Sequence, residues 1–315
     1  MNLLAECKGA SRIGISGHIR PDGDCVGSCL ALYQYLKKAL PQTLVQVYLE
    51  NPNDIFREIK GFDDILCPGK EQEPFDVYFV LDCSDDRLGG AEEYYQQAKK
   101  RINIDHHISN SGCGDVNLVR PEVGSCSEVL FHLFDNELVD QDIAKAVYVG
   151  MIHDTGIFQY ANTSPETLRT AAQLIEYGFD FPNIIQETFY QKTYLQTQIM
   201  GRVLMESVRF MDGRCIVGWV DRRTMEFYDV SSKDFEGIVN QLRNITGVDC
   251  AIFMYEMDVQ EFKISLRTSE KVDATKVVVP FGGGGHMRAA GCTMKGTFHD
   301  CVNNLSRYIE EQLEK

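Results

Sequence analysis

Acidic and imidazole side chains occur together at four places in the first half of the sequence. They are His18, Asp22 and Asp24 in HIRPDGD, Asp82 at the end of VYFVLD, Asp105, His106 and His107 at the end of RINIDHH, and His153 and Asp154 in VYVGMIHDTG. Carboxylates mixed with imidazoles suit Mn²⁺, Mg²⁺, Fe²⁺ or Co²⁺ better than a structural zinc ion. If the fold brings these carboxylates together, they repel one another unless a cation lies among them or some stay protonated. We therefore predict a metal site.

Most of these residues also have a purely structural explanation. Asp22 and Asp24 could cap the helix that begins near residue 24, and Asp82 could occupy a turn at the end of its strand. The two adjacent histidines could be buried core residues. Asp154 is harder to explain in this way, because an unpaired carboxylate buried in an apolar helix costs several kcal/mol.

Strands that alternate with helices must position these residues. Apolar segments typical of strands cover residues 12–18, 43–49, 76–84 and 101–107, and helical patterns cover 23–40, 91–100, 125–136, 141–158 and 164–178. This alternation predicts an α/β domain whose mainly parallel sheet is flanked by helices. Ligands bind beyond the carboxyl ends of the strands in such a sheet, so three of the four groups should meet at one edge.

The pattern changes after residues 181–207, which we interpret as one continuous helical stretch. Asp212-Gly213 between apolar runs predicts a hairpin, a second hairpin is expected from 248–257 and 261–269, and helices are expected at 232–245 and 299–315. The valine run in TKVVVPF (275–281) favours a strand. We predict a metal-binding domain at 1–186, a helical linker at 187–207 and a smaller α+β domain at 208–315.

A run of four glycines in PFGGGGHMRAAGC (280–292) is the other unusual feature. It is not a P-loop, because no Gly-Lys-Ser/Thr closes it, and Arg288 stands where a dinucleotide fingerprint would have its last glycine. Consecutive glycines let backbone N–H groups approach an anion, and His286 and Arg288 add donors. The alternative is a hinge or a tight turn.

Composition excludes several classes of protein. The formal charge of −15 opposes binding of long nucleic acid, which needs many Lys and Arg side chains. No apolar stretch approaches the roughly 18–20 residues of a membrane span, and MNLLAECKGASR lacks the features of a signal peptide. Eleven scattered cysteines then indicate free buried thiols in a reducing compartment, so we expect a cytoplasmic protein.

The four motifs HIRPDGD, VLD, DHH and HDTG, in this order and at this spacing, resemble the signature motifs of the DHH phosphoesterases. That superfamily includes RecJ-type exonucleases, family II pyrophosphatases and bacterial nanoRNases that are also pAp phosphatases. GGGGHMRAAG resembles the signature of the glycine-rich DHH-associated domain. The resemblance covers nearly the whole chain. One departure is the predicted strand before the glycines, where the family usually has a short helix.

The resemblance implies two divalent ions, with Mn²⁺ expected and Mg²⁺ or Co²⁺ as alternatives. One ion would be held by His18, Asp22 and Asp82, and the other by Asp24, Asp82, His106 and Asp154. His107 would contact the substrate phosphate or act as general acid, and Asp105 would orient the histidines. In the second domain Arg267, Gly283, Gly284 and His286 would hold the second phosphate, sugar or base of a nucleotide.

The implied function is hydrolysis of short oligoribonucleotides (nanoRNA), pAp or linear dinucleotides such as pApA. A RecJ-like single-strand exonuclease and a non-catalytic nucleotide sensor on the same scaffold are the alternatives. Members of the family often dimerise, so a homodimer is also expected, and the stretch 181–207 could serve either dimer contacts or internal packing.

Overall fold

The computed structural model describes residues 1–69 and 73–314, and the chain divides into two compact units between Gln191 and Lys192. The described strands of the first unit are β1 (Arg12–Ser16), β2 (Leu44–Tyr48), β3 (Val77–Leu81), β4 (Arg101–Asp105) and β5 (Val116–Val119). Its described α-helices are α1 (Leu3–Glu6), α2 (Gly23–Ala39), α3 (Glu92–Gln97), α4 (Cys126–Phe131), α5 (Gln141–Asp154), α6 (Pro165–Ile175) and α7 (Phe181–Ile185). Short 3₁₀ turns lie at Asp54–Phe56, Phe62–Asp64, Asp85–Arg87 and Gly89–Ala91.

The sheet of the first unit is parallel throughout, in the order β2-β1-β3-β4-β5. This confirms the predicted α/β architecture and brings the carboxyl ends of β1, β3 and β4 side by side. Strand β5 was not predicted. Its four residues, VNLV, are at least partly exposed at the edge of the sheet, so they lack the apolar run that marks a buried strand.

Both faces of this sheet are buried at its central strand, β3. All five residues of β3 are buried, because alternate side chains enter two different cores. Phe79 and Leu81 pack in the larger core with α2, α4, α5 and α6. Tyr78 and Val80 pack in a smaller, aromatic-rich core with Phe75 and α3. Residues that follow the strands are therefore held at fixed positions.

Helices α2 and α5 cross closely at two glycines. A Cβ atom added to Gly27 would lie 2.6 Å from the carbonyl oxygen of Ala146 and 2.8 Å from the backbone nitrogen of Gly150. These distances are shorter than any real contact of a Cβ atom, and the neighbouring atoms are backbone. The missing side chain of Gly27 thus lets the backbones of the two helices touch at Gly150.

The stretch 181–207 is not one continuous helix, so that prediction is wrong. After α7 the chain forms a π-helix at Gln186–Tyr190 and then becomes extended at Gln191, where ψ is 129°. A new helix, α8 (Tyr194–Glu206), begins after Thr193, whose hydroxyl accepts from the backbone N–H of Gln196 while the Gln196 side chain accepts from the N–H of Thr193. This capping box starts a separate helix.

The second unit is a mixed α+β structure, as predicted. Its described strands are β6 (Val208–Phe210), β7 (Cys215–Val220), β8 (Cys250–Asp258), β9 (Glu261–Thr268), β10 (Gly284–His286) and β11 (Ala289–Lys295), in the sheet order β10-β11-β9-β8-β7-β6. Its helices after α8 are α9 (Arg222–Tyr228), α10 (Ile238–Arg243), α11 (Ala274–Val278) and α12 (Phe298–Leu313), with 3₁₀ turns at Ser232–Phe235 and Val279–Phe281. The antiparallel pairs β6–β7 and β8–β9 confirm both hairpins.

The strand predicted for residues 275–281 is wrong. Residues 274–278 form α11 instead, because the Asp273 carboxylate accepts from the backbone N–H of Thr275 and caps the helix. Val277 and Val278 are buried in the core of the second unit, so burial rather than strand pairing explains the valines.

The helix predicted at 232–245 is interrupted at Gly237, whose φ of +86° is left-handed. Helix α9 was not predicted.

Two further sequence-based expectations concern the membrane and the thiols. Among the described helices, none is both long and apolar enough to cross a bilayer. All eleven cysteines are free. They are buried except for the exposed Cys67 and the partly exposed Cys113.

Gly27→Ala should destabilise the first unit by about 1–3 kcal/mol, because its new methyl group overpacks the α2–α5 contact. Gly201→Ala is the matched control, since Gly201 also lies within a helix but a Cβ there would meet no atom within 4 Å. That control should be neutral or gain up to about 1 kcal/mol from helix propensity. Thermal unfolding followed by calorimetry compares the two, and an unchanged Tm for Gly27→Ala would contradict the close crossing.

Candidate metal centre

The carboxyl ends of three adjacent strands supply most of the predicted site. His18 lies two residues after β1, Asp82 follows β3 directly, and Asp105 is the last residue of β4. Asp82 has a left-handed backbone with φ of +61°, an unfavourable conformation that single aspartates adopt more readily than most residues. The turn that this produces places the Asp82 carboxylate among its neighbours.

Asp82 is the centre of the cluster. Its Oδ2 atom lies 3.5 Å from Nε2 of His18, and its Oδ1 atom lies 3.6 Å from Nε2 of His106 and 3.7 Å from Nδ1 of His107. The residue is only 2% exposed. One buried carboxylate therefore faces imidazoles from two different strands.

Asp24 is held by a helix that is distant in the sequence. Its two oxygens accept hydrogen bonds from the backbone N–H groups of Cys126 (2.6 Å) and Ser127 (2.9 Å), at the start of α4. Oδ2 also lies 3.9 Å from Nε2 of His106. Asp22, by contrast, does cap its own helix, accepting from the N–H groups of Asp24 and Cys25. The capping explanation is thus right for Asp22 and wrong for Asp24.

Helix α5 adds Asp154 to the cluster, while the preceding residue faces elsewhere. Oδ2 of Asp154 lies 3.4 Å from Nε2 of His106 and accepts a hydrogen bond from Nδ2 of Asn162 at 3.1 Å. Nε2 of His153 instead lies 3.0 Å from the hydroxyl of Thr188, and burial lowers the pKa of His153 to about 4. His153 is therefore a neutral histidine outside the cluster.

Backbone carbonyls and Asp105 set the orientation of the imidazoles. Nδ1–H of His18 donates to the carbonyl of Ile19 (2.9 Å), which leaves Nε2 free to act as a ligand. Nδ1–H of His106 donates in the same way to the carbonyl of Val123 (3.3 Å). Asp105 has a different role, because its Oδ1 accepts from Nδ1–H of His107 at 2.8 Å and from the backbone N–H groups of both adjacent histidines.

The buried polar atoms of the cluster fit a divalent cation. Oδ1 of Asp82 and Nε2 of His106 are both buried, and neither has a hydrogen-bond partner among the residues that the structure describes. Burial, together with the charges of Asp24, Asp22 and the other nearby carboxylates, raises the pKa of Asp82 far above its usual range. A bound cation would satisfy these lone pairs and offset the repulsion.

The potential donor atoms form three overlapping groups, each within 4.8 Å. The groups are Asp82, Asp105, His106 and His107; His18, Cys25 and Asp82; and Asp24, His106 and Asp154. Five of the six predicted metal ligands are members of these groups. The sixth, Asp22, lies beside them, because its Oδ1 is 3.7 Å from Nε2 of His18. Cys25 was not predicted to be part of the site.

Sequence reasoning also missed two asparagines that hold the carboxylates. Asn110 donates to Oδ2 of Asp105 and to Oδ1 of Asn103. Its closeness to the DHH motif, in DHHISN, was the available signal. Asn162 bridges Asp154 and the carbonyl of Gly124, and no local pattern marks it.

The four predicted substrate-binding residues lie in the second unit, and three of them are on β9 and β10, the two strands on either side of β11. His286 of β10 pairs with Ala289 of β11, which pairs in turn with Arg267 of β9. Gly284 pairs with Gly291 two positions along, and Gly283 immediately precedes β10. The sheet therefore brings these residues to one region of its surface, and residues directly opposite share a face.

Affinity for Mn²⁺ should rise as the pH increases from about 6 to 9. Burial and the Asp24 charge raise the pKa of Asp154 to about 7. Burial opposes protonation of His18, but the hydrogen bond with Asp22, the nearby charges and the carbonyl of Ile19 together raise the pKa of His18 to about 9. An ion held by Asp154 and His18 would displace both protons, so its binding would release protons. Calorimetric titration in buffers of different ionisation enthalpy measures this release, and an affinity independent of pH would contradict it.

Family models match both units in order. The N-terminal domain of the DHH family matches residues 12–151, and the DHHA1 domain matches residues 212–315. The bifunctional oligoribonuclease and PAP phosphatase NrnA of Thermus thermophilus is 30% identical, over 100% of this chain and 95% of its own. NrnA of Bacillus subtilis is 24% identical, over 88% of this chain and 87% of its own.

Solved structures show the same architecture. A crystal structure of an exopolyphosphatase-related protein from Bacteroides fragilis has a TM-score of 0.90 at 26% identity, covering 99% of this chain and 95% of that one. RecJ of Thermus thermophilus with Mn²⁺ shares the fold at a TM-score of 0.55 and 13% identity, with 53% of its chain covered. Two matching domains in order and a relative 30% identical along the whole chain show that this protein belongs to the DHH family of phosphoesterases.

Proposed function

We propose that this protein hydrolyses phosphoester bonds in short oligoribonucleotides, in pAp or in linear dinucleotides such as pApA. The observation that supports this most is the buried cluster of carboxylates and imidazoles around Asp82. It lies in a chain that matches, along its whole length, an oligoribonuclease and PAP phosphatase.

We further propose that the cluster holds two divalent ions, Mn²⁺ in the first place and Mg²⁺ or Co²⁺ as alternatives. His18, Asp22 and Asp82 would hold one ion, and Asp24, Asp82, His106 and Asp154 the other, with Asp82 shared between them. When bound, such ions lower the pKa of a water molecule and neutralise charge on the phosphoryl group. Carboxylate and imidazole donors suit these metals.

His107 is the residue that we assign to the phosphate or to the leaving oxygen. Its Nδ1–H donates to Asp105, which leaves Nε2 for the substrate. The hydrogen bond with Asp105 raises the pKa of His107, so the ring is protonated over a wider pH range. A protonated Nε2–H can donate to a phosphoryl oxygen or transfer its proton to the departing alkoxide.

The second unit would bind the second phosphate, sugar or base of the substrate. His286 and Arg267 flank Ala289 in one row of the sheet, and the small residues Gly284 and Gly291 form the next row. A surface of this kind lets a phosphate or a base approach the backbone, with a cationic side chain beside it. Gly283 lies against the backbone of Gly291, where a Cβ atom would not fit.

Two alternatives are retained as outcomes of the test. A RecJ-like exonuclease is supported by the shared fold alone, and this chain covers 53% of that RecJ. A nucleotide sensor without activity would need a site that binds but cannot activate water, although every predicted ligand is present here.

We place the protein in the cytoplasm, where reducing conditions suit eleven free thiols. Short phosphorylated nucleotides rather than long duplexes are the proposed partners, given the charge of −15. A homodimer remains a prediction.

Purified protein with Mn²⁺ should hydrolyse pAp, pApA and a five-nucleotide RNA but not pyrophosphate. Asp82→Asn is the matched inactive variant, because asparagine keeps the shape and tolerates the left-handed backbone of residue 82. Its kcat/KM should fall by more than about a hundredfold. A loss of this size exceeds the roughly 10- to 100-fold loss that is typical for residues that only orient metal ligands. Release of nucleotide and phosphate is the measurement.

Two results would contradict the proposal. If the Mn²⁺-bound protein hydrolysed none of the nucleotides, the result would favour the nucleotide sensor. Full activity of Asp82→Asn with unchanged circular dichroism would remove Asp82 from the ion-binding residues.

Asp105→Asn should shift the alkaline limb of the pH profile to lower pH. If protonated His107 is the acid, kcat/KM falls as pH rises through its pKa, and Asp105 is the main cause of that raised pKa. Measuring kcat/KM between about pH 5 and 10 at saturating Mn²⁺, for the wild type and the variant, tests this. Asp115→Asn is the control, because Asp115 pairs with Arg101 on the surface, and equal limbs in both variants would rule out the assignment.

A further inference from the structure

A surface cleft of about 420 Å³ lies directly beside the metal cluster, within the first unit. Its lining residues are Ile19, Arg20, Pro21, Glu50, Asn51 and Asn53. Three of these lie between the ligands His18 and Asp22 in the sequence. The volume falls in the range of small-molecule sites, about 300–1,000 Å³. The segment between two proposed metal ligands thus forms one wall of the cleft.

The walls of the cleft are held by contacts outside it. Oε1 of Glu50 accepts a hydrogen bond from the backbone N–H of Gly90 at 2.8 Å. The backbone N–H of Ile19 donates to the carbonyl of Arg87 at 2.8 Å. Gly89 leaves room for both walls, because a Cβ there would lie 2.5 Å from Oε1 of Glu50 and from Cγ2 of Ile19. The cleft is thus preformed.

Arg20 is exposed and conformationally strained. Its φ of +57° is left-handed, an unfavourable conformation for a residue with a long side chain, and the following Pro21 restricts it further. Within residues 1–69 and 73–314, no hydrogen bond or ion pair engages its guanidinium. Strain of this kind persists where the surrounding structure enforces it, and it is common at ligand sites.

The groups in the cleft match a nucleoside better than a chain of phosphates. Asn51 and Asn53 offer carboxamides, which can pair with the edge of a base, and Ile19, 41% exposed, offers an apolar surface. Glu50 keeps one carboxylate oxygen for a ribose hydroxyl, since Gly90 engages the other. That negative charge would repel a polyphosphate placed in the cleft.

We propose that this cleft binds the nucleoside attached to the phosphate at the cluster, with Arg20 contacting that nucleotide through its guanidinium. The proposal rests on the proposed function and deepens it, because it makes Arg20 a specificity residue for nucleotides over other phosphoesters. Guanidinium groups bind phosphate oxygens through paired hydrogen bonds and also stack on bases.

The test compares two substrates that share a phosphodiester but differ in the nucleoside. These are pApA and bis(p-nitrophenyl) phosphate, with Mn²⁺ and the full chain. Arg20→Ala should lower the ratio of kcat/KM for pApA to that for the nitrophenyl ester by about 10- to 100-fold, mainly through KM for pApA. Arg169→Ala is the control, since Arg169 is exposed on α6, pairs with Glu166 and lies outside the cleft.

The variant Asn53→Asp tests whether the carboxamide of Asn53 contacts the base. Oδ1 of Asn53 accepts from the backbone N–H of Ile55 at 3.1 Å, and Asn53→Asp keeps this acceptor while removing the amide donor. We expect the ratio of kcat/KM for pApA to kcat/KM for pUpU to change by about fivefold or more from its wild-type value. Arg20→Lys keeps the positive charge but not the paired hydrogen bonds, so it should recover only part of the pApA preference that Arg20→Ala loses.

The outcomes separate this proposal from the proposed function. An unchanged substrate ratio in Arg20→Ala, or an equal loss on both substrates, overturns the cleft assignment even when the wild type hydrolyses nucleotides. A wild type that hydrolyses the nitrophenyl ester but no nucleotide overturns the proposed function itself. Direct binding of AMP relative to inorganic phosphate, measured by calorimetry without turnover, should weaken in Arg20→Ala and not in Arg169→Ala.

Discussion

Mutual repulsion among buried carboxylates is the constraint on which the first unit depends. Asp82 and Asp24 are almost completely buried, and Asp22 and Asp154 lie beside them. The fold offsets part of this charge with the N–H groups that begin α4, which bind Asp24. The rest needs protons or cations, because Asp82 retains an unpaired oxygen. This cluster of donor atoms could therefore hold a metal ion.

The ends of strands and helices carry this site, together with the residues that follow them directly. The strands β1, β3 and β4 end side by side because their sheet is parallel and buried on both faces. Helices α2 and α5 approach within backbone contact at Gly27 and Gly150, which brings the carboxylates at their termini close together. The adjacent residues His153 and Asp154 show the precision of this placement, since one is a neutral packing residue and the other joins the cluster.

Much of the site could be predicted because its residue types and spacing are local features of strand ends. The supporting contacts could not, because they join distant segments. The Asp24 carboxylate binds N–H groups about one hundred residues away, and Asn162 reaches Asp154 from a turn without any distinctive pattern. Local propensity also failed at the valines of α11, where burial in the core decided the conformation, and at 191–193, where a capping box starts a new helix.

The central feature of the proposed site is a pair of ions that would share the Asp82 carboxylate. Electron paramagnetic resonance of the protein titrated with Mn²⁺ tests this directly, because two Mn²⁺ ions with a common ligand are magnetically coupled. We expect two ions per chain and an exchange-coupled spectrum that replaces the six-line signal of isolated Mn²⁺. A single uncoupled ion at saturation, or no bound ion, would contradict a shared site at Asp82.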